Sequence, residues 1–265
     1  MTIHMPRIHS SAIVSERAEL HPSVRVGPFS IIEAGVKIGA GSVLENNVRI
    51  FEHVHIGAHN RICHGVAIGA APQHLGYTPD QAGSLRIGDH NTFKENVVIS
   101  LGMKTAQGTR IGNRNYLMNG AHIGHDCSVG DDNVIASNSI ISGHVEIGDH
   151  VFLSVLVAVH QFCRIGAHAM VGRASGVVQD IPPYVMSSGS HARFVGVNTV
   201  GLKRSGFTPE QRRIIQRAYR ILLRSGLSRP SALAKLQALP QSDELRAIIA
   251  FAEASERGLI PAVRG

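Results

Sequence analysis

From Ile8 to Pro183 an aliphatic residue returns at every sixth position, and few folds can use that spacing. It runs through Val14, Leu20, Val26, Ile32, Ile38, Leu44, Ile50, Ile56, Ile62 and Ile68, then through Ile87, Phe93 and Ile99. After a second pause it continues from Ile111 through Leu117, Ile123, Val129, Ile135, Ile141, Ile147, Leu153, Val159, Ile165, Val171 and Val177. On an α-helix such positions would wander around the axis, and a β-sandwich imposes no fixed period. A hexapeptide-repeat parallel β-helix needs this spacing.

Three hexapeptides, 18 residues, make one triangular turn. The aliphatic residue points inward, and the small residue four positions later (Ala12, Ser30, Ser42, Asn60) fills the space beside it. Glycine often follows the aliphatic residue (Gly27, Gly39, Gly57, Gly124) and is expected to ease the bend where φ is unusual. Turns stack at the strand spacing of roughly 4.8 Å, so residues 18 apart become vertical neighbours. Aromatic content of 5%, with no Trp, suits a prism filled with Ile, Val and Leu. Cys127 and Cys163 fall at filler positions two turns apart, about 9.6 Å by strand spacing, too far for a disulfide. No apolar run reaches signal-peptide or membrane-span length, so a soluble cytoplasmic protein is expected. The net charge of +7 points to an anionic partner without choosing one.

The period breaks at 70–86 and again at 100–109, where loops leave the scaffold and function concentrates. It stops at Pro182-Pro183, which are expected to end the ladder. Residues 184–207 read as a connector. Thr208-Pro209-Glu210-Gln211 then reads as a helix start, closed by Gly226, with further helices near 230–239 and 243–257, the latter capped by Ser242. The expected organisation is a β-helix over 1–190 and a helical domain over 191–265. Arg212, Arg213, Arg217, Arg220 and Arg224 make the first long helix either a solvated face or a dock for an acidic partner.

Most of the 16 histidines are expected outside the coil or at its edges. The run Ala121-His122-Ile123-Gly124-His125-Asp126-Cys127 differs, because the 18-residue step sets Gly143 above His125 and His144 above Asp126, with His160 above Ser142. An imidazole moves protons near neutral pH, a carboxylate orients it, and a glycine N–H can approach an oxyanion. The plain alternative is a ladder of histidines that hydrates a corner.

The segment Met118-Asn119-Gly120-Ala121-His122-Ile123-Gly124-His125-Asp126-Cys127 resembles the signature of the UDP-N-acetylglucosamine O-acyltransferases that begin lipid A synthesis. So do Ser142-Gly143-His144, Ala158-Val159-His160-Gln161-Phe162, Gln179-Asp180-Ile181-Pro182-Pro183-Tyr184, Gly196-Val197-Asn198, Gly201-Leu202-Lys203-Arg204 and Arg257-Gly258-Leu259-Ile260. The resemblance implies left-handed coiling, a homotrimer with sites between subunits, and no metal or organic cofactor. It implies transfer of an (R)-3-hydroxyacyl group from acyl carrier protein, which is acidic, to the glucosamine 3-hydroxyl of the sugar nucleotide. By position, it makes His125 the general base, Asp126 its support and the Gly143 N–H the oxyanion donor. Gln73, His122, His144, His160 and Gln161 line the substrate site, Asn198 and Arg204 hold the nucleotide, and Arg212, Arg213, Arg217 and Arg220 receive the carrier.

The chain also departs from that family. His74 and Gly76 replace an acidic residue and a lysine in the first loop, and Leu101 lies in an altered second loop. Val200 and Ser205 replace Glu and Arg, and Val155-Leu156 replaces a small pair. Arg173 stands where a small or apolar residue limits the acyl groove. A divergent acyltransferase with another sugar nucleotide or a shorter acyl group therefore stays open. So do a trimeric zinc hydratase on the same scaffold and a non-catalytic scaffold or nucleic-acid binder, although no aromatic-studded basic groove supports the last.

Overall fold

The computed structural model describes residues 7–103 and 107–263, so residues 104–106 of the second excursion and most of the lead-in lie outside the described residues. Each hexapeptide forms one short strand, such as Arg25–Val26, Lys37–Ile38 or His122–Ile123. Among the described residues the strands stack into three sheets of nine, eight and ten strands, and the chain winds as a left-handed parallel β-helix. Val26, Leu44, Ile62, Phe93, Leu117, Ile135, Leu153 and Val171 form one column down the prism, and none of them is exposed. Burying each such side chain stabilises the stack by about 1.5–3 kcal/mol.

The prism also buries a polar ladder. Asn91 Nδ2 donates to Asn60 Oδ1 and Asn115 Nδ2 to Asn91 Oδ1, both at 3.0 Å. Each amide also bonds a corner carbonyl, of Gly112 and Gly130 respectively, so groups that would be costly to bury are satisfied.

The glycines after the aliphatic residues do a different job from the one the sequence suggests. Gly69 apart, they have ordinary φ. A Cβ on Gly27 would lie 2.7 Å from the Glu45 backbone, and one on Gly124 2.7 Å from the Gly143 nitrogen. Close stacking of turns, not unusual φ, requires them. The left-handed residue comes three after the aliphatic one and is often Asn, Asp or His: Asn47, His59, Asp126, His144 and His150 have φ between 54 and 61°.

At the two excursions the 18-residue step lengthens to 31 between Ala67 and Val98 and to 24 between Val98 and His122. The loops are tied together: Gly83 N–H donates to Gly102 O at 2.8 Å and Leu101 N–H to Ala70 O at 2.8 Å.

Pro182-Pro183 do not end the ladder. They occupy a corner, where no strand N–H is needed, and Val185–Ser188 resumes the third sheet on Met170–Val171. Arg193–Val197 then folds back antiparallel, so the expected connector contains a hairpin. Among the described residues four helices follow: α1 (Thr199–Arg204), α2 (Pro209–Arg224), α3 (Arg229–Gln237) and α4 (Asp243–Glu253). Thr208 and Gln211 form the capping box at the start of α2, and Ser242 caps α4. α4 stops short of residue 257 because the chain returns to the coil, where Asp180 N–H donates to Gly258 O and Ile260 N–H to Asp180 O. The buried Tyr219 hydroxyl, 2.6 Å from Pro183 O, helps seat α2 on the end of the prism. Among the described residues no helix is long and apolar enough to cross a membrane.

Candidate active site

The strand His122–Ile123 runs into a corner formed by Gly124, His125 and Asp126. The left-handed backbone at Asp126 turns its carboxylate back onto the preceding ring, with Oδ2 2.8 Å from His125 Nδ1. An ionised carboxylate only accepts, so Nδ1 carries the proton and Nε2 presents its lone pair. Two groups not singled out in the sequence hold Asp126. Its N–H donates to Thr109 Oγ1 at 2.9 Å, and Oδ2 accepts from the Met103 N–H at 3.2 Å. Eighteen residues on from Thr109 is Cys127, beside Asp126, a signal that could have found it. Met103 lies in an excursion without register, and no such signal exists for it.

One turn above, Ile140–Ile141 pairs with His122–Ile123 and brings in Gly143 and His144. The His125 ring lies against Gly143, whose N–H donates to no acceptor among the described residues. The His144 ring packs edge-on to His125 at 5.0 Å between centroids, and its Nε2 is 4.0 Å from Asp126 Oδ2. Phe162 stacks on His144 at 4.6 Å, and the His74 ring, from the first excursion, reaches to 6.0 Å from His125. Burial lowers the pKa of His122, with repulsion from His125 adding to it. Burial also lowers that of His144, against the opposing pull of Asp126. Both are therefore neutral near pH 7. A cavity of about 310 Å³ opens beside His144, lined also by Phe162, Glu146, Arg164 and Arg257.

The fold thus brings His122, His125, Asp126, Gly143 and His144 together. Gln73, His160, Gln161, Arg173 and Arg204 are exposed and make no hydrogen bond to His125 within one chain. Asn198 is buried, and its amide serves the fold: Oδ1 accepts from Gly201 N–H and Nδ2 donates to His168 O. Arg212 bonds Phe207 O and Arg213 pairs with Glu210, while Arg217 and Arg220 are exposed. Of the departures, Leu101 is buried, Gly76 N–H donates to His74 Nδ1, Val200 is exposed on α1, and Ser205 caps its C-terminus.

Among the described residues two groups have metal-ligand chemistry, His125 with Asp126 and His144, and Glu45 with Cys63 and Glu95. In the first, the 2.8 Å contact is a hydrogen bond. In the second, Arg61 and Lys94 already neutralise the carboxylates. Burial pushes the Cys127 thiol up to about 12 and the Cys163 thiol to about 11, so both stay protonated fillers.

Residues 180–260 match a family model described as UDP-N-acetylglucosamine O-acyltransferase, domain 2, and residues 108–143 match the bacterial transferase hexapeptide model. The chain is 45% identical to the acyl-[acyl-carrier-protein]–UDP-N-acetylglucosamine O-acyltransferase of Janthinobacterium sp. (strain Marseille), over 97% of this chain and 100% of the relative. It is 45% identical to the enzyme of that name from Halorhodospira halophila, with the same coverage. Among solved structures, the Francisella novicida UDP-N-acetylglucosamine acyltransferase superposes with a TM-score of 0.93 at 37% identity, covering 96% of this chain and 94% of that one. An Acinetobacter baumannii relative superposes with a TM-score of 0.93 at 36% identity, covering 96% and 100%.

Proposed function

The chain belongs to the acyl-[acyl-carrier-protein]–UDP-N-acetylglucosamine O-acyltransferase family, and from that premise we propose that His125 is the base of its acyl transfer. The overall reaction moves an acyl group from acyl carrier protein to UDP-N-acetylglucosamine, in lipid A biosynthesis. His125 Nε2 takes the proton of the sugar 3-hydroxyl, and that oxygen attacks the thioester carbonyl of an (R)-3-hydroxyacyl group. The Gly143 N–H stabilises the tetrahedral oxyanion. On collapse the C–S bond breaks, and the imidazolium returns its proton to the departing thiolate. Asp126 holds the tautomer and stabilises the imidazolium, contributions of about 10²–10⁴ in rate for such a group.

The observation that carries this reading is the His125 ring, oriented by Asp126 on one side and set against a glycine with an unused N–H on the other. Neutral His122 and His144 suit sugar hydroxyls as partners. Gln73, His160, Gln161, Asn198 and Arg204 complete the substrate site, the last two by holding the nucleotide across a subunit boundary. A homotrimer is supported by an apolar column on the third sheet's outer face, where Tyr116, Val134, Phe152 and Met170 stack in register and Phe152 is 38% exposed. Arg217 and Arg220 on α2 receive the acidic carrier. Both substrates are soluble, consistent with a cytoplasmic setting.

The test is His125→Gln, measured for acyl transfer and for assembly by sedimentation. Loss of turnover in an intact oligomer is expected, and retained turnover removes His125 from the mechanism. Arg173 favours a second reading within the family. An exposed guanidinium at the corner after Val171 shortens the groove, so a shorter acyl group is transferred. Carrier protein loaded with a series of chain lengths separates the two.

A further inference from the structure

At several places outward-facing neighbours on successive turns of this prism are matched by charge. Lys37 pairs with Glu19 at 2.9 Å, Arg164 with Glu146 at 3.0 Å, and Arg114 with Asp132 at 2.7 Å. The second sheet breaks the rule in its middle. Its outward column reads Glu19, Lys37, His55, Arg86, Arg110, Ser128, Glu146, Arg164. Lys37 is answered by Glu19 and His55 is neutral near pH 7, but Arg86 and Arg110 stand opposite each other on consecutive strands. Among the described residues no carboxylate pairs with Arg86 or Arg110, and the Arg110 side chain donates to the Gln107 carbonyl at 3.1 Å. Burial lowers the pKa of His55, and the nearby Arg86 and Lys37 lower it further against the opposing pull of Glu19.

Like charges directly opposite each other across strands destabilise a sheet. The same coil uses opposite charges at this relation elsewhere, so the pair is a cost to the fold with no return inside the chain. Its location supplies the return. Arg110 follows Thr109, whose hydroxyl holds the Asp126 backbone, and Ser128 continues the same column just past the His125–Asp126 corner. Arg86 and Arg110 are one strand step apart, roughly 4.8 Å. That spacing suits an acidic helix, whose carboxylates at i and i+4 are neighbours about 5–6 Å apart.

We propose that Arg86 and Arg110 form a docking point for the acidic acyl carrier protein, which brings its thioester to the corner bearing His125. This rests on the carrier-dependent reaction proposed above and adds a second contact to that of α2, where Arg212 and Arg213 are already engaged by the fold.

The test uses the full-length oligomer with three variants: Arg86→Gln/Arg110→Gln, Arg86→Lys/Arg110→Lys, and Arg217→Gln/Arg220→Gln. The affinity of fluorescently labelled acyl carrier protein is measured by anisotropy across a salt series, alongside a thermal melt. The Arg86→Gln/Arg110→Gln variant weakens carrier binding by about tenfold and flattens its salt dependence, while its Tm holds or rises as repulsion is relieved. The lysine variant keeps binding within about threefold, since a pair of surface charges needs sign more than shape. The proposal is overturned if the glutamine variant binds carrier as the parent does, with the loss confined to the α2 variant. It is equally overturned if the lysine variant loses binding as severely as the glutamine one, or if the glutamine variant loses only its binding to phosphatidylglycerol vesicles. Failure of the parent enzyme to use acyl carrier protein at all, with purified UDP-N-acetylglucosamine present, would instead count against the function proposed above.

Discussion

The ring of His125 rests on the backbone of Gly143, so closely that a Cβ on Gly143 would stand 2.7 Å from Nε2. A methyl group there must push the imidazole off both the oxyanion donor and the incoming hydroxyl. Gly143→Ala is expected to lower kcat by about 10²–10³ with little change in the melting temperature. Steady-state kinetics beside a thermal melt checks it, and a kcat within a few-fold of the parent would show that the contact has no catalytic role.

Asp126 accepts from both His125 Nδ1 and the Met103 N–H. Asp126→Asn keeps the shape but can present an amide N–H to the ring, favouring the tautomer with the proton on Nε2. The variant is expected to lose about 10² or more in kcat while binding UDP-N-acetylglucosamine nearly as tightly. Calorimetric titration of the nucleotide separates this from a loss of binding.

His168 stacks between His150 and Tyr184 where the prism meets the helices, and burial lowers its pKa to about 4, with repulsion from His150 adding to the shift. In the unfolded chain it titrates near 6.5. Between those values the unfolded state binds more protons, so its contribution to stability is intact above pH 6.5 and declines as pH falls toward 4. His168→Gln should melt with a shallower pH dependence than the parent across that window. Identical slopes would mean that His168 is already charged in the native state.

Asn115 Nδ2 donates to Asn91 Oδ1 and to Gly130 O, and its Oδ1 accepts from the Asn133 N–H. Asn115→Ala leaves buried partners unpaired and is expected to cost about 3 kcal/mol. Urea unfolding of the oligomer at fixed concentration measures it.

Phe152 sits in the outward apolar column with Val134 and Met170 in adjacent strands. Phe152→Glu is expected to shift the sedimenting species toward monomer and to remove activity with it, since a site shared between subunits cannot then assemble. An active monomer would end the shared-site reading.

The six-residue period determined the prism, its inward columns and its 18-residue register, because side-chain spacing along a strand and stacking between turns are local and repetitive. That register was enough to set Gly143 against His125 and His144 near Asp126. Thr208, Gln211 and Ser242 announced their helices equally well, since capping is a matter of a few adjacent atoms. Where the period broke, no fixed register set which residues became neighbours. Met103 reached Asp126, and His74 reached the His125 ring, only through how two irregular loops closed on each other. The hairpin beyond Pro183 and the internal commitment of the Asn198 amide were also settled by tertiary contacts, with Met170–Val171 and with the His168 carbonyl. Even the glycines owed their place to the turn stacked on them, a neighbour 18 residues away that no local rule of backbone conformation includes.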